Sequence, residues 1–316
     1  MKLLVVRYSA LGDVILVTGV IRFLKNIGMF DEIDVMTDRD FSFIFENNKN
    51  VNRIIEYDRK MSLWNYFEFL QKWIDGYDVI LDLQGKPRTI LLKLFSDAKY
   101  VGYGKKSFKR RMFVKYRLFE DSLNEHVTKR YLGKFLKGIN VKLPPLKDLR
   151  PEIFLGKEVS KDNTIAIHPF ASKNTKVWPY FRNLADMLIK NGYKVKVIGR
   201  GEENLFESEG LTNLVNKTSL QQMFEEIKKS SLLITTDSGP MHAAISLNVK
   251  TLAIFGSTSY HLGFYPEFEN CYVIENNIKC RPCDVHGLKK CPEGHFRCMK
   301  DIGVEQVFEK VKEVLM

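Results

Sequence analysis

The stretch at residues 232–255 constrains the fold more than any other part of the chain. Its two ends, 232–235 and 251–255, are apolar, largely β-branched runs of strand length. Between them stand Gly239 and Pro240. A proline here predicts a helix start, because the first helical position needs no N–H donor. The stretch therefore predicts a strand, a tight turn, a short helix and a second strand.

The predicted turn also places backbone donors beside the end of a strand. The N–H groups of Met241, His242 and Ala243 would have no acceptor within their own helix. Next to a glycine, at the carboxyl end of a strand, such groups form a cradle for an anion. The alternative interpretation is an ordinary capped turn that binds nothing.

Strand-length and helix-length segments alternate through both halves of the chain, which predicts parallel sheets. The first half opens with a strand at 3–7, a turn at 8–13 that contains a glycine, and a helix at 14–25. It lacks the G-x-G-x-x-G fingerprint of dinucleotide-binding proteins. The proline-rich segment 143–150 reads as a linker. We predict an α/β protein of two Rossmann-like domains, 1–150 and 151–316, facing each other across a cleft.

Composition restricts the class of protein and its partners. Hydrophobic residues make up 45% and charged residues 28%, as in a globular protein. No run approaches the roughly 20 apolar residues that span a bilayer, and the N-terminus lacks a secretory pattern, so we expect a cytoplasmic protein. The net charge of +11 predicts an acidic partner: nucleic acid, an anionic membrane or a phosphorylated substrate.

Three segments, in chain order, carry a family resemblance: VVRYSALGDVILVTGVIRFLK, IAIHPFASKNTKVWP and TTDSGPMHAAISLNVKTLAIFGSTS. Together they resemble the bacterial heptosyltransferases, inverting glycosyltransferases of family 9 with a GT-B fold. The resemblance implies an ADP-heptose donor held by the C-terminal domain. It implies an inner-core lipopolysaccharide acceptor held mainly by the N-terminal domain. Phe170 and Ser257 depart from the family pattern, which usually has glycine and proline at these places.

Inverting transfer needs a base for the acceptor hydroxyl and positive charge beside the leaving diphosphate. By the resemblance, Asp13 in the first turn is the catalytic base; the alternative is an N-cap of a helix that begins at Val14. Lys176 is the candidate cation for the diphosphate, against the alternative of a solvated loop lysine. Glu202 is predicted to accept from ribose hydroxyls, and Glu203 serves equally well. The other predicted donor-binding residues form one turn: Asp237, Ser238, Gly239, Pro240, Met241 and His242.

The basic run KKSFKRRMFVKYR at 105–117 is the candidate acceptor site. We predict that Lys109, Arg110 and Arg111 bind phosphorylated Kdo–lipid A in an anionic leaflet. The alternatives are a solvated charged face or a nucleic-acid patch. Trp64 and Trp73, on an aromatic-rich helix, are candidates for the membrane interface. We therefore expect a peripheral enzyme on the cytoplasmic face of the inner membrane.

Two acidic or cysteine-rich patterns raise the question of a metal. Asp38 and Asp40 form a D-x-D sequence far from the donor motifs, and because such short acidic patterns often occur by chance we interpret it as a solvated turn. Cationic side chains and a helix terminus can do the work of a metal ion at the diphosphate. We therefore expect no cofactor in catalysis. Cys280, Cys283, Cys291 and Cys298 follow a C-x2-C-x7-C-x6-C spacing, which predicts either a structural zinc site or reduced cysteines in a folded loop. The alternative from another functional class is a basic nucleic-acid-binding protein with a zinc-binding tail.

Overall fold

The computed structural model describes residues 1–206 and 208–316, with the backbone alone for Asn204 and Leu205. These residues form two compact units. The first contains Met1–Lys105 and Val127–Gly156, and the second contains Lys106–His126 and Lys157–Met316. The predicted division between residues 150 and 151 differs in two respects. The first unit extends to Gly156, and the segment Lys106–His126 groups with the second unit.

The described part of the first unit is built on a parallel sheet with the spatial order β3-β2-β1-β4-β5. Its strands are Lys2–Val6 (β1), Glu32–Asp38 (β2), Arg53–Tyr57 (β3), Val79–Asp82 (β4) and Lys99–Gly102 (β5). β1 and β4 are almost wholly buried, which explains their unbroken apolar sequences. Because β1 pairs with β2 on one side and with β4 on the other, the strand order reverses between β1 and β4. Ligands bind at such switch points in open α/β sheets.

Helices cover this sheet and set the position of Asp13. They are Leu11–Asn26 (α1), Leu63–Trp73 (α2), Pro87–Ile90 (α3) and Val127–Gly138 (α5); the intervening helix Ser107–Tyr116 (α4) belongs to the second unit. α1 begins three positions before the predicted start at Val14, and Ala10 is its N-cap. The alternative of Asp13 as the N-cap is therefore wrong. Asp13 lies inside the first turn, where its negative charge interacts favourably with the positive end of the helix dipole.

The described part of the second unit has a parallel sheet with the order β11-β10-β9-β6-β7-β8. Its strands are Ile165–His168 (β6), Val195–Val197 (β7), Leu211–Asn213 (β8), Leu232–Thr236 (β9), Lys250–Phe255 (β10) and Cys271–Glu275 (β11). Its other helices are Phe181–Lys190 (α6), Leu220–Lys229 (α7), Gly239–Ser246 (α8), Arg297–Lys300 (α9) and Val304–Leu315 (α10). β9, α8 and β10 confirm the strand, helix and strand predicted for 232–255. The strand order reverses between β6 and β9, where His168 pairs with Thr235.

The segment Lys106–His126 packs within the second unit through specific contacts. The Arg117 guanidinium donates to the carbonyl oxygens of Pro282 and Lys279, each at 3.2 Å. The His261 imidazole lies 3.0 Å from the Glu120 carboxylate, and its ring centroid is 4.7 Å from that of Phe113. These contacts join residues more than 100 positions apart, and no local pattern in the basic run predicts them.

The two Rossmann-like sheets confirm the predicted α/β class. Across the residues that the structure describes, no helix combines the length and the hydropathy needed to cross a membrane.

Candidate functional site

Asp13 lies at the switch point of the first sheet, with both carboxylate oxygens engaged. The Tyr131 hydroxyl donates to Oδ1 over 2.5 Å, and Arg7 Nη2 lies 2.6 Å from Oδ2. The Asp13 side chain keeps 17% of its surface exposed, against 8% for Arg7. Each carboxylate oxygen can accept more than one hydrogen bond, so these contacts fix the orientation of the group and leave it accessible.

Arg7 and Tyr131 are themselves held in place by burial. Arg7 directly follows β1, donates to the Leu83 carbonyl oxygen after β4, and lies 5.7 Å over the Tyr131 ring. Burial opposes the Arg7 charge, but interactions with Tyr131 and Asp13 offset it and raise the Arg7 pKa above its ordinary value. Burial raises the pKa of Tyr131 well above its ordinary value, so its hydroxyl stays a donor. Neither residue was among the predicted site residues.

A cluster of basic side chains lies at the same end of the first sheet as Asp13. A cavity of about 370 Å³ is lined by Arg59, Lys86 and Arg88, together with Tyr8, Ser9 and Gln84. Arg59 is paired with both acidic residues of the D-x-D sequence, at 2.7 Å from Asp38 and 3.1 Å from Asp40. The prediction of a solvated turn is wrong for Asp38, because only 5% of its side chain is exposed. This basic cavity was not predicted, since its residues come from separate loops.

In the second unit, two predicted donor-site residues are in direct contact. Lys176 Nζ lies 3.0 Å from Asp237 Oδ2, and both side chains are largely buried, with 12% and 13% exposed. The Thr258 hydroxyl donates to the same oxygen over 2.8 Å. The alternative of a solvated loop lysine is therefore wrong. Lys176 ends a short 3-10 helix, Asn174–Lys176, whose buried Thr175 hydroxyl lies 2.9 Å from that of Ser257.

The turn from β9 to α8 contains a chain of polar side chains. The Ser238 hydroxyl lies 3.2 Å from that of Thr235, which lies 3.3 Å from Nδ1 of His168 on β6. Burial lowers the pKa of His168 to about 4, so its ring is neutral at physiological pH. Within the described residues, the Ser238 side chain makes no capping hydrogen bond to α8, and Pro240 occupies its first turn. Ser238 is thus the N-cap residue of α8 without a side-chain cap, and anion binding at this turn stays a prediction.

The remaining predicted donor residues have different surroundings. Glu202 is exposed beyond the carboxyl end of β7. Glu203, the equal alternative, forms an ion pair with Lys217 at 2.8 Å. His242 and Met241 are buried in α8, with 3% and 0% of their surfaces exposed.

The predicted acceptor residues lie on α4, which groups with the second unit and not with the first. Arg111 is exposed, Lys109 lies 5.5 Å over the Phe119 ring, and Arg110 is buried with 9% exposed. The interpretation of all three as one solvated face is therefore wrong for Arg110. A helix that packs one face against its own unit turns residues on that face inward, and Arg110 is such a residue on α4.

The cysteine-rich segment brings several thiols together. Cys283 Sγ donates to the Cys280 carbonyl oxygen over 3.3 Å, and Cys280 Sγ lies 3.9 Å from His295 Nε2. Burial, reinforced by the neighbouring thiols, raises the pKa of Cys283 to about 12. Among the described residues, no group of three or more His, Cys, Asp or Glu side chains is arranged to hold a metal ion. The zinc site at Cys280, Cys283, Cys291 and Cys298 stays a prediction.

Two Rossmann-like sheets with charged side chains at their switch points are the arrangement of nucleotide-binding α/β enzymes. The profile of glycosyltransferase family 9 (heptosyltransferase) matches residues 69–293, and the chain belongs to this family. It is therefore a glycosyltransferase, as the sequence motifs predicted.

Individual relatives cover the chain to different extents. Lipopolysaccharide heptosyltransferase 1 of Campylobacter coli is 26% identical over 99% of both chains. Lipooligosaccharide heptosyltransferase 2 of Campylobacter jejuni subsp. jejuni serotype O:2 is 40% identical over 33% of this chain and 31% of its own. The solved structure of E. coli ADP-heptose lps heptosyltransferase II covers 100% of this chain and 98% of its own, with 22% identity and a TM-score of 0.74. This structural likeness confirms the GT-B-like fold class.

Proposed function

We propose that this enzyme transfers a heptose from ADP-heptose to an inner-core sugar of lipopolysaccharide. The observation that carries the proposal is the similarity to lipopolysaccharide heptosyltransferase 1 of Campylobacter coli along 99% of both chains. A different nucleotide sugar or glycan acceptor within family 9 is the alternative. A nucleic-acid-binding protein is not favoured, because the chain belongs to an enzyme family.

Asp13 acts as the base in this proposal. Its carboxylate accepts the proton of the acceptor hydroxyl as that oxygen attacks the anomeric carbon and the diphosphate leaves. Arg7 and Tyr131 supply two fixed contacts that aim the carboxylate, at 2.6 and 2.5 Å. A base held in one orientation needs no rearrangement at the moment of transfer, which lowers the barrier.

Lys176 and α8 neutralise the leaving diphosphate. The backbone donors at the start of α8 suit an anion, and Lys176 ends beside Asp237 in the same turn region. A bound diphosphate would replace or share Asp237 as the partner of the lysine. Negative charge on the leaving group grows during transfer, so a fixed cation lowers the barrier as well as the dissociation constant. Glu202 accepts from the ribose hydroxyls.

This arrangement needs no metal ion at the diphosphate. We therefore expect full transfer activity in the presence of excess EDTA, measured as the initial rate of ADP release. Strict dependence on Mg²⁺ or Mn²⁺ would contradict the proposal and implicate another acidic group.

Two basic regions compete as the acceptor site. The cavity lined by Arg59, Lys86 and Arg88 opens at the same sheet end as Asp13. The other region is Lys109, Arg110 and Arg111 on α4. Exchanging Lys86 for serine should raise the KM for a phosphorylated Kdo–lipid A acceptor if the cavity binds it. Exchanging Lys109 and Arg111 together should raise the KM for this acceptor if α4 binds it. In both cases the KM for the donor serves as the control.

The acceptor lipid places the enzyme at the cytoplasmic face of the inner membrane in this proposal. Trp64 and Leu63, at the start of α2, keep 72% and 57% of their surfaces exposed. An exposed tryptophan suits the headgroup region of a bilayer. Trp73 packs against the hydrophobic core instead, so we propose no membrane contact for it.

The proposal is tested by a transfer assay with purified protein, ADP-heptose and Kdo–lipid A. We expect ADP release coupled to a heptosylated product, and no comparable release with other nucleotide sugars. Asp13→Asn keeps the shape but cannot accept the proton, so its turnover should fall about a hundredfold or more. Its affinity for ADP should stay close to that of the wild type. Efficient transfer from another nucleotide sugar would support the family-9 alternative.

A further inference from the structure

Phe170 occupies a space that two glycines leave open. A Cβ atom added to Gly199 would lie 2.7 Å from Phe170 Cδ2, and one added to Gly201 would lie 2.9 Å from its Cζ and nearer still to two other ring carbons. No Cβ fits at such distances, so only glycine at 199 and 201 lets the ring lie directly on this turn. The turn after β7 and the ring after β6 thus form one surface at the carboxyl edge of the sheet.

The ring is supported from the side and is partly open to solvent. The His168 and Phe206 rings meet it nearly perpendicularly, with centroids 5.8 and 6.4 Å away. Phe170 packs against the core of the second unit but is only partly buried. These neighbours hold the ring in place while part of its surface stays open to a ligand.

The position of Phe170 relative to the other donor residues defines what can reach it. His168 connects through Thr235 to Ser238 at the start of α8, where the diphosphate binds in the proposed function. Glu202, the proposed ribose ligand, directly follows Gly201. A nucleoside whose phosphates lie at α8 and whose ribose lies at Glu202 therefore extends its base across the turn at 199–201.

We propose that Phe170 is the stacking platform for the nucleobase of the donor. This inference rests on the proposed function, because it needs a nucleoside diphosphate at the α8 turn. Stacking on a phenyl ring is available to every base, so the platform contributes affinity for the nucleoside and not selectivity among bases. Discrimination among bases must then come from other groups.

The experiment compares a nucleotide with a probe that lacks the base. Dissociation constants for ADP and for inorganic pyrophosphate are measured by calorimetry on the wild type, Phe170→Leu and Phe170→Trp. Leucine keeps apolar packing without a π face, and tryptophan keeps the face. We expect Phe170→Leu to weaken ADP about tenfold or more while changing pyrophosphate less than twofold. Phe170→Trp should retain ADP affinity within about threefold, because it keeps a π face.

A matched control is Phe108→Leu, which alters a phenylalanine of the same unit that is 69% exposed on α4. It should leave both dissociation constants unchanged. The melting temperature of each unliganded variant shows separately whether the core has been weakened.

The possible results are distinct. Equal weakening of ADP and pyrophosphate by Phe170→Leu would overturn the platform and assign the ring a packing role. Unchanged ADP binding would also overturn the platform. Tighter ADP binding would overturn it as well, because the ring would then obstruct the base. In both cases the proposed function would stand. If the wild type binds pyrophosphate but no nucleoside diphosphate, the platform and the proposed function both fail.

Discussion

The Tyr131 hydroxyl donates a 2.5 Å hydrogen bond to Asp13, although the two residues are 118 positions apart in the chain. Tyr131 lies on α5 and Asp13 in the first turn of α1, two helices that pack together. The other oxygen of Asp13 contacts Arg7, so a strand end and two helices fix one carboxylate. The orientation of the proposed base therefore depends on the tertiary packing of the first unit.

Removing the Tyr131 hydroxyl should impair transfer without impairing donor binding. In Tyr131→Phe the ring still packs edge-on against Tyr103, at 4.9 Å between centroids, but Asp13 loses one of its two contacts. We expect kcat to fall about tenfold, because small displacements of a catalytic group reduce rates strongly. The KM for the donor should stay within about twofold, as steady-state kinetics will show.

Tyr77→Phe is the matched control for this change. Tyr77 is a buried tyrosine of the same unit whose hydroxyl donates to Asp34 over 2.6 Å. Each substitution should destabilise the fold by about 1–3 kcal/mol, because each deprives a carboxylate with little solvent exposure of a hydrogen-bond donor. Only Tyr131→Phe should change kcat. Equal kinetic effects in both variants would mean that the loss follows general stability.

Exchanging Lys176 for alanine should weaken ADP and slow transfer together. The variant removes the cation beside the α8 turn and leaves Asp237 without its 3.0 Å partner, so an uncompensated negative charge faces the diphosphate. We expect ADP to bind at least tenfold more weakly by calorimetry and kcat to fall as well. Lys190 is exposed at the end of α6, and Lys190→Ala lowers the net charge by one, as Lys176→Ala does; it should change neither quantity.

The Lys176 site also shows what the sequence reveals and what it conceals. Local patterns correctly predicted the β9–α8–β10 unit, because proline, glycine and apolar runs determine such structure within a few residues. They also identified Lys176 and Asp237 individually, but not their contact. Neither β11 nor α10 was predicted.

Residues that act through long-range contacts were missed for a physical reason. Arg59, Lys86 and Tyr131 come from separate loops and helices, and nothing within a few residues of each marks it as part of a site. Arg7 offered a signal, since it is the last residue of the strand predicted at 3–7 and so stands at its carboxyl end. The inclusion of α4 in the second unit depends on the contacts of Arg117 and Glu120, which only the folded chain brings together.

Two glycine-to-alanine exchanges should change stability in opposite directions. Gly19 faces inward from α1, and a Cβ there would lie 2.7 Å from the carbonyl oxygen of Arg150 and closer to that of Leu149. Because both are backbone atoms, Gly19→Ala should destabilise the protein by about 1–3 kcal/mol in urea unfolding. Gly133, in α5, has no atom within 4 Å of such a Cβ, so Gly133→Ala should stabilise by up to about 1 kcal/mol. Stabilisation by both would refute the close contact at Gly19.

The last prediction concerns the stability of the protein in acid. Burial holds the pKa of His168 at about 4, whereas an unfolded histidine has a pKa near 6.5. Between these values the unfolded chain takes up a proton that the folded protein refuses. The free energy of unfolding should therefore be highest above pH 6.5 and should fall as the pH drops toward 4, by roughly 3 kcal/mol for this one residue. Urea unfolding between pH 7.5 and 4.5 measures the effect.

His168→Gln should flatten this part of the pH dependence, while the exposed His286→Gln should keep the wild-type curve. Parallel curves for the wild type and His168→Gln would show that His168 is not buried in its neutral form.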